Sequence, residues 1–237
     1  MAPRDDNSPR RHPRRARRQP TKRRDAPNRP PDPAAPPPLP PTPFRLGVVP
    51  GVTPGKWIDT WRDRYRATPL DLVALTVADQ ERAVRAGEVD AAVVRLPIDR
   101  DGLHVIALYD ELPVVVCAAD SVLTAATELR ASDLVGETLI VPLDDVLHCA
   151  VPGTVSPVFP PPPTTADAMA IIATGVGIAT VPMSLARLHH RKDTAFRPLA
   201  EGPVSTVALT WLVDGGTPAV EAFIGIVRGR TARSSRT

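Results

Sequence analysis

Three groupings in this chain hold residue types that chemistry uses. His148-Cys149 sets an imidazole beside a thiol, the materials of an activated sulfur nucleophile. His189-His190-Arg191-Lys192 offers imidazoles to a metal and cations to an anion. Gly175-Val176-Gly177 has glycines spaced as in a phosphate-cradling turn. Neighbouring residues in sequence do not give a nucleophile and its base the geometry they need. Adjacent histidines on a helix do not share a face, so a basic helix C-terminus, favoured by the macrodipole, explains that cluster better. The glycine pair follows a helix and precedes a strand, the reverse of what a dinucleotide site requires. No catalytic residue, no metal ligand and no cofactor is therefore expected, and an enzyme is the weakest of the function classes considered.

Binding chemistry is better represented. In open α/β sheets ligands lie outside the carboxyl ends of the strands, and four segments meet that description: Gly51-Val52-Thr53, Val77-Ala78-Asp79-Gln80, Pro142-Leu143-Asp144 and Thr164-Thr165-Ala166-Asp167. Two of them open helices, whose first N–H groups lack partners within the helix and accept anionic or polar groups. Thr53 and Thr165 add hydroxyls. Asp79 and Asp167 are either ligand contacts or helix caps, and their charge disfavours an anionic ligand. Arg95 is either an anion contact or one half of a surface or interlobe ion pair.

The elements that position these residues follow from periodicity. The run Glu81 to Arg95 is the clearest: a helix face of Ala83 and Val84, a stop at Gly87, and the apolar run Ala91-Ala92-Val93-Val94 of a strand buried on both faces. Upstream, Phe44 to Val49 reads as a strand, Lys56 to Arg66 as a helix with Trp57, Ile58, Trp61 and Tyr65 facing a core, and Leu70 to Val77 as a strand. The order β-α-β-α-β implies a parallel sheet with right-handed crossovers. Downstream, strands are expected at Leu103 to Ala107, Leu112 to Ala118, Thr138 to Val141, Gly177 to Val181 and Val204 to Val213. Helices are expected at Ala166 to Thr174, Ser184 to His190 and Pro218 to Arg228, with a helical turn at Ser132 to Leu134. Residues 143–163, rich in proline, read as loop. Met169 to Val181 repeats the grammar of the first helix-glycine-strand unit, which points to two α/β lobes.

Composition separates the ends from the middle. Residues 1–43 hold 14 of the 30 prolines and 11 Lys or Arg against 4 Asp. With almost no large apolar side chain, that segment cannot offset its chain entropy and is expected to be disordered, as is the short basic stretch 229–237. Residues 44–228 suffice for two small lobes. The two cysteines have no metal-type spacing, Cys117 sits in an apolar run, and a reducing, cytoplasmic setting follows. No apolar run approaches membrane-span length, so no membrane association is expected.

From Phe44 to about Arg228 the chain resembles the effector-binding domain of LysR-type transcriptional regulators. Arg45-Leu46-Gly47-Val48 resembles the opening strand. Val84-Arg85-Ala86-Gly87-Glu88-Val89-Asp90, followed by Ala91 to Arg95, resembles the family's L-x-x-G-x-L-D signature. Leu108 to Val116 resembles the strand leaving the first lobe. Leu129, Leu134 and Leu139-Ile140-Val141-Pro142 follow in order, and Ile172 to Pro182 resembles V-x-x-G-x-G-I-x-x-L-P. The resemblance implies two Rossmann-like lobes joined by crossover strands, a type 2 periplasmic-binding-protein-like α/β fold, with lobe one at 44–117 plus 206–228 and lobe two at 118–205. It implies a small-molecule effector in the interlobe cleft and side-by-side homodimers. Residues 1–43 show no winged helix-turn-helix, and the second lobe has no long helix after its first strand.

Two functions of different class follow. The leading one is a metabolite-sensing module that regulates transcription through dimer or partner contacts. The other is association with DNA without sequence reading, through the arginines of the basic tail or a separate DNA-binding partner.

Overall fold

The structure, a computed structural model, describes residues 38–229. The expectations of disorder at 1–43 and 229–237 fall almost wholly outside those residues. The chain begins with strand β1 (Phe44–Val48), helix α1 (Gly55–Arg64), strand β2 (Leu70–Ala74), helix α2 (Gln80–Arg85) and strand β3 (Ala91–Arg95). β1 pairs in parallel with β2 on one side and β3 on the other, as the β-α-β-α-β pattern requires. Every residue of β3 is buried, which is why its sequence does not alternate. Between α2 and β3 the helix ends in a Schellman motif. The Gly87 N–H donates to the Val84 carbonyl at 3.1 Å and the Glu88 N–H to the Ala83 carbonyl at 3.0 Å, with Gly87 at φ 64°.

Strands β4 (Leu103–Glu111) and β5 (Pro113–Ala118) follow, separated by Leu112 alone. β5 does not stay in the first sheet. It pairs antiparallel with β6 (Ala179–Pro182) and β7 (Thr194–Pro198), and the chain then returns through β8 (Ser205–Leu212), which lies antiparallel between β3 and β4. The sheets are thus ordered β2-β1-β3-β8-β4 and β6-β5-β7. This moves the lobe boundary expected at residue 117 back to Leu112, because Pro113–Ala118 hydrogen-bonds entirely within the second sheet. The return comes at Ser205 rather than 206. β7 was not expected at all. The predicted strand at Leu70 to Val77 ends at Ala74, and Leu103 to Ala107 extends to Glu111.

The second sheet carries the plan of the first further than its strands alone indicate. Leu139 bridges in parallel to Ile178, and Thr138 in parallel to Val155. The predicted strand Thr138 to Val141 is therefore reduced to single bridges, stopped by Pro142. The spatial order Val155, Leu139, Ile178 with β6, β5, β7 matches β2, β1, β3, β8, β4, with the fourth strand antiparallel in each. Helix α3 (Thr165–Ile172) precedes Ile178 as α2 precedes β3, and Gly175 at φ 81° stands where Gly87 stands in the first unit. Gly177 is dictated by a close approach: a Cβ there would lie 2.3 Å from the Thr138 carbonyl oxygen. Residues 143–163 hold no helix or strand. Short helical turns at Val122–Ala125, Ala131–Leu134 and Val213–Gly215, helix α4 (Met183–Leu188) and helix α5 (Pro218–Val227) complete the described chain. Thr217 caps α5 by accepting the Val220 N–H, with Pro218 at its first position.

Each lobe has its own core. In lobe one Phe44 stacks on Trp61 at 4.9 Å between ring centres and meets Phe223 at 5.2 Å. The Trp61 indole N–H donates to the Thr68 carbonyl at 3.0 Å, and Ile58 is buried beside it while Trp57 and Tyr65 cover the edge. In lobe two β5 alternates between faces. Val114 and Val116 meet Met169, Ile172 and Val181 of the helical face; Val115 and Cys117 meet Leu129, Leu134 and Leu199 of the other.

Candidate functional site

The carboxyl ends of the parallel strands in both lobes converge on one junction. Arg95, the last residue of β3, reaches Ser184, two residues beyond the end of β6. The Arg95 side chain is 1% exposed and forms an ion pair with Glu111, 10% exposed, at 2.8 Å. Its Nη1 also donates to the Ser205 hydroxyl at 2.8 Å. Its Nη2 donates to the Pro50 carbonyl at 3.1 Å and to the Ser184 hydroxyl at 2.9 Å. The Ser184 hydroxyl in turn donates to Glu111 Oε2 at 2.6 Å. The backbone of Arg95 is clasped from behind by the Gln80 amide, which accepts its N–H and donates to its carbonyl, both at 2.9 Å. Of the Arg95 donors only Nε is buried without a partner.

The ion pair of Arg95 is with Glu111 of its own sheet and is buried, so it is neither at the surface nor between lobes; the guanidinium is taken up by Glu111 and the junction. The partners Glu111, Ser184 and Ser205 were not expected. The available signal was the pair of carboxylates Asp110-Glu111 just before the apolar run from Leu112, since a buried arginine needs a carboxylate partner somewhere.

The other expected residues divide in two. Gly51, at φ 83°, lies against this network: a Cβ there would sit 2.7 Å from Ser184 Oγ and 3.1 Å from Arg95 Nη2. Thr53 and Ala78 are exposed beside the carboxyl ends of β1 and β2. Across lobe two, the Thr165 hydroxyl donates to Asp144 Oδ1 at 2.8 Å, so two of the predicted segments meet. Leu143 is exposed, its N–H donating to the Pro162 carbonyl at 2.9 Å, while Pro142 is buried. Thr164 is the cap of α3: its hydroxyl accepts the Asp167 N–H at 3.2 Å and donates to the Asp167 carboxylate at 2.7 Å.

Val52 is part of the lobe-one core and Val77, partly buried, packs against it. Asp79 does not cap α2 with its side chain. The carboxylate accepts from the Thr76 hydroxyl at 2.8 Å and from Arg82 Nε at 3.1 Å, which hold its pKa below the usual carboxylate range. The concavity lined by Arg62, Tyr65, Arg66, Thr68, Pro69 and Leu70 lies at the amino end of β2, away from this junction.

His148 is 80% exposed, and burial pushes both the Cys149 and the Cys117 thiol up in pKa, away from the thiolate a nucleophile needs. His189 ends α4, and the following Arg191 pairs with Asp193 at 2.9 Å. No group of three or more His, Cys, Asp or Glu that could hold a metal is found among the described residues. No helix among them is long and apolar enough to cross a membrane.

A family model for the LysR substrate binding domain matches residues 40–232. The chain belongs to that family. Among curated relatives, the Hca operon transcriptional activator HcaR of Escherichia coli K12 is 28% identical over 189 residues, covering 75% of this chain and 63% of the activator. The HTH-type transcriptional regulator MetR of the same strain is 27% identical over 180 residues, covering 72% and 56%. The chain thus spans about six-tenths of the length of these regulators. Solved structures share the fold. The oxidized form of OxyR superposes with a TM-score of 0.64 at 19% identity, covering 79% of this chain and 95% of that one. The BenM effector binding domain with its effector benzoate gives 0.64 at 18% identity, covering 83% and 95%. The fold is the type 2 periplasmic-binding-protein-like one, and the domain is the effector-binding kind found in LysR transcriptional regulators.

Proposed function

We propose that this LysR-family domain senses a small metabolite held between its two lobes and passes that signal to transcription through dimer or partner contacts inside the cytoplasm. The observation that carries the reading is the convergence of both sets of strand ends on one junction, spanned among the described residues by Leu112 and by residues 199–204. Two lobes linked in that way have the construction of a closing cleft. The ligand lies against Gly51, Thr53 and Ala78 on one side and Leu143, Asp144, Thr164 and Thr165 on the other.

Arg95 is committed to Glu111, so it leaves no charge for a carboxylate. The polar contacts available are backbone N–H groups, the Thr53 hydroxyl and the second oxygen of Asp144, which Thr165 positions. A neutral or amine-bearing metabolite suits these better than an anion. Ligand binding shifts the population of lobe arrangements only in proportion to its preference for the closed one.

Thermal-shift screening of the full chain against metabolite classes, followed by calorimetry of the hits, tests this. A hit whose affinity falls in Thr165→Val and Asp144→Asn supports it. A hit unaffected by both substitutions places the ligand elsewhere, and stabilisation only by anions refutes the ligand class.

A further inference from the structure

Arg95 is a cation buried where, among the described residues, the chain passes between lobes, and its four side-chain bonds divide by lobe. Glu111 and Ser205 are paired partners at the last rung of the first sheet, where β4 leaves for lobe two and β8 returns from it. Nη1 holds both. Pro50 belongs to the turn after β1. Ser184 stands alone on the far side, at the start of α4 in lobe two. Beside it the Met183 N–H donates to the carbonyl of Leu112, the single residue of the outgoing crossover, at 3.1 Å.

We infer that Arg95, through Ser184, is an interlobe pin: a positioning residue that fixes the resting angle between the two lobes. The inference concerns the protein without ligand and does not depend on what the cleft binds.

A guanidinium is planar, with donors in a fixed fork, so its direction is set once two partners are engaged. Glu111 and Ser205 fix one end of that plane. The other end then presents Nη2 to Ser184 in one direction only. Any shift of lobe two moves Ser184 Oγ away from Nη2 and from Glu111 Oε2 together, so two charge-assisted bonds are lost in one displacement. Burial raises the cost of that loss because no water replaces them. Gly51 completes the seat: with a Cβ it would press on both Ser184 and Arg95, so the two lobes touch here only because that position has no side chain.

The test is a distance distribution between spin labels in the full chain, on Asp71→Cys in lobe one and Val158→Cys in lobe two, with Cys149→Ser as background. Asp71 and Val158 are exposed, and Cys117 is buried. Ser184→Ala is the decisive variant. It removes the lobe-two bonds and leaves Arg95 paired with Glu111, so melting should change little while the distribution broadens and its mean moves. Arg95→Lys keeps the charge but cannot reach both ends at once, and should broaden it as well. An unchanged distribution in Ser184→Ala overturns the inference. So does a change that appears only at temperatures where far-UV circular dichroism also falls, since that is loss of fold rather than of position.

Discussion

Removing the carboxylate of Glu111 should cost this domain far more than an ion pair usually contributes. Exposed pairs are worth under about 1 kcal/mol. Arg95 and Glu111 are 1% and 10% exposed, and Glu111 also accepts from Ser184. Glu111→Ala leaves a cation sealed from water with its charge unmatched, and breaking a buried pair from one side costs about 3–5 kcal/mol. For a domain of this size each kcal/mol lowers the melting temperature by roughly 2–4 °C, so a drop of about 6–20 °C is expected. The assay is a far-UV melt at neutral pH, with urea unfolding followed by the fluorescence of Trp57, Trp61 and Trp211, all in lobe one. Replacing both partners together, as Arg95→Met with Glu111→Leu, should recover most of the loss, because the desolvation penalty disappears with the charges. A Glu111→Ala protein melting within about 2 °C of the natural one would refute the reasoning, since that is how a solvent-screened pair behaves.

Other consequences are independent of the pin. Phe223→Ala empties a fully buried ring position against Phe44 and Trp61 and should cost about 3–5 kcal/mol in urea unfolding. Gly177→Ala forces a Cβ onto the Thr138 carbonyl and should cost about 1–3 kcal/mol or more, seen as early loss of far-UV signal with lobe-one tryptophan fluorescence retained. The Asp79 carboxyl titrates below its unfolded value, so its small contribution is present above the unfolded pKa and lost as pH falls through the folded one. Thr76→Val should raise that pKa in carboxyl NMR titrations. Cys117 and Cys149 should react slowly with a thiol reagent at neutral pH, because burial raises both pKa values; fast labelling of Cys149 would contradict the placement.

Local grammar made the helix-glycine-strand units legible. Gly87 ends α2 by bonds spanning three and five residues, and β3 announces its burial by lacking polar residues. The Ile172 to Pro182 motif was equally readable, since Gly177 answers to a backbone contact that admits no other residue. What escaped was set by distant partners. Thr194–Pro198 looks too polar for a strand, yet Arg197 is held by the carbonyls of Thr124 and Ala126 at 2.6 and 2.7 Å. The switch of β5 into the second sheet depends on one residue, Leu112. Arg95 finds its partners 16, 89 and 110 positions along the chain, separations over which a sequence carries no register. The candidate segments come from the rule about strand ends; which side chains in them pack on the core, as Val52 and Val77 do, depends on packing that the rule does not carry.

The central claim is that a small molecule occupies the junction between the lobes. Native mass spectrometry of the full chain, purified gently and then denatured, addresses it most directly. The account predicts a small-molecule adduct released on unfolding, and lost from Asp144→Asn with Thr165→Val while that variant stays folded. An adduct retained undiminished by that folded variant would contradict it.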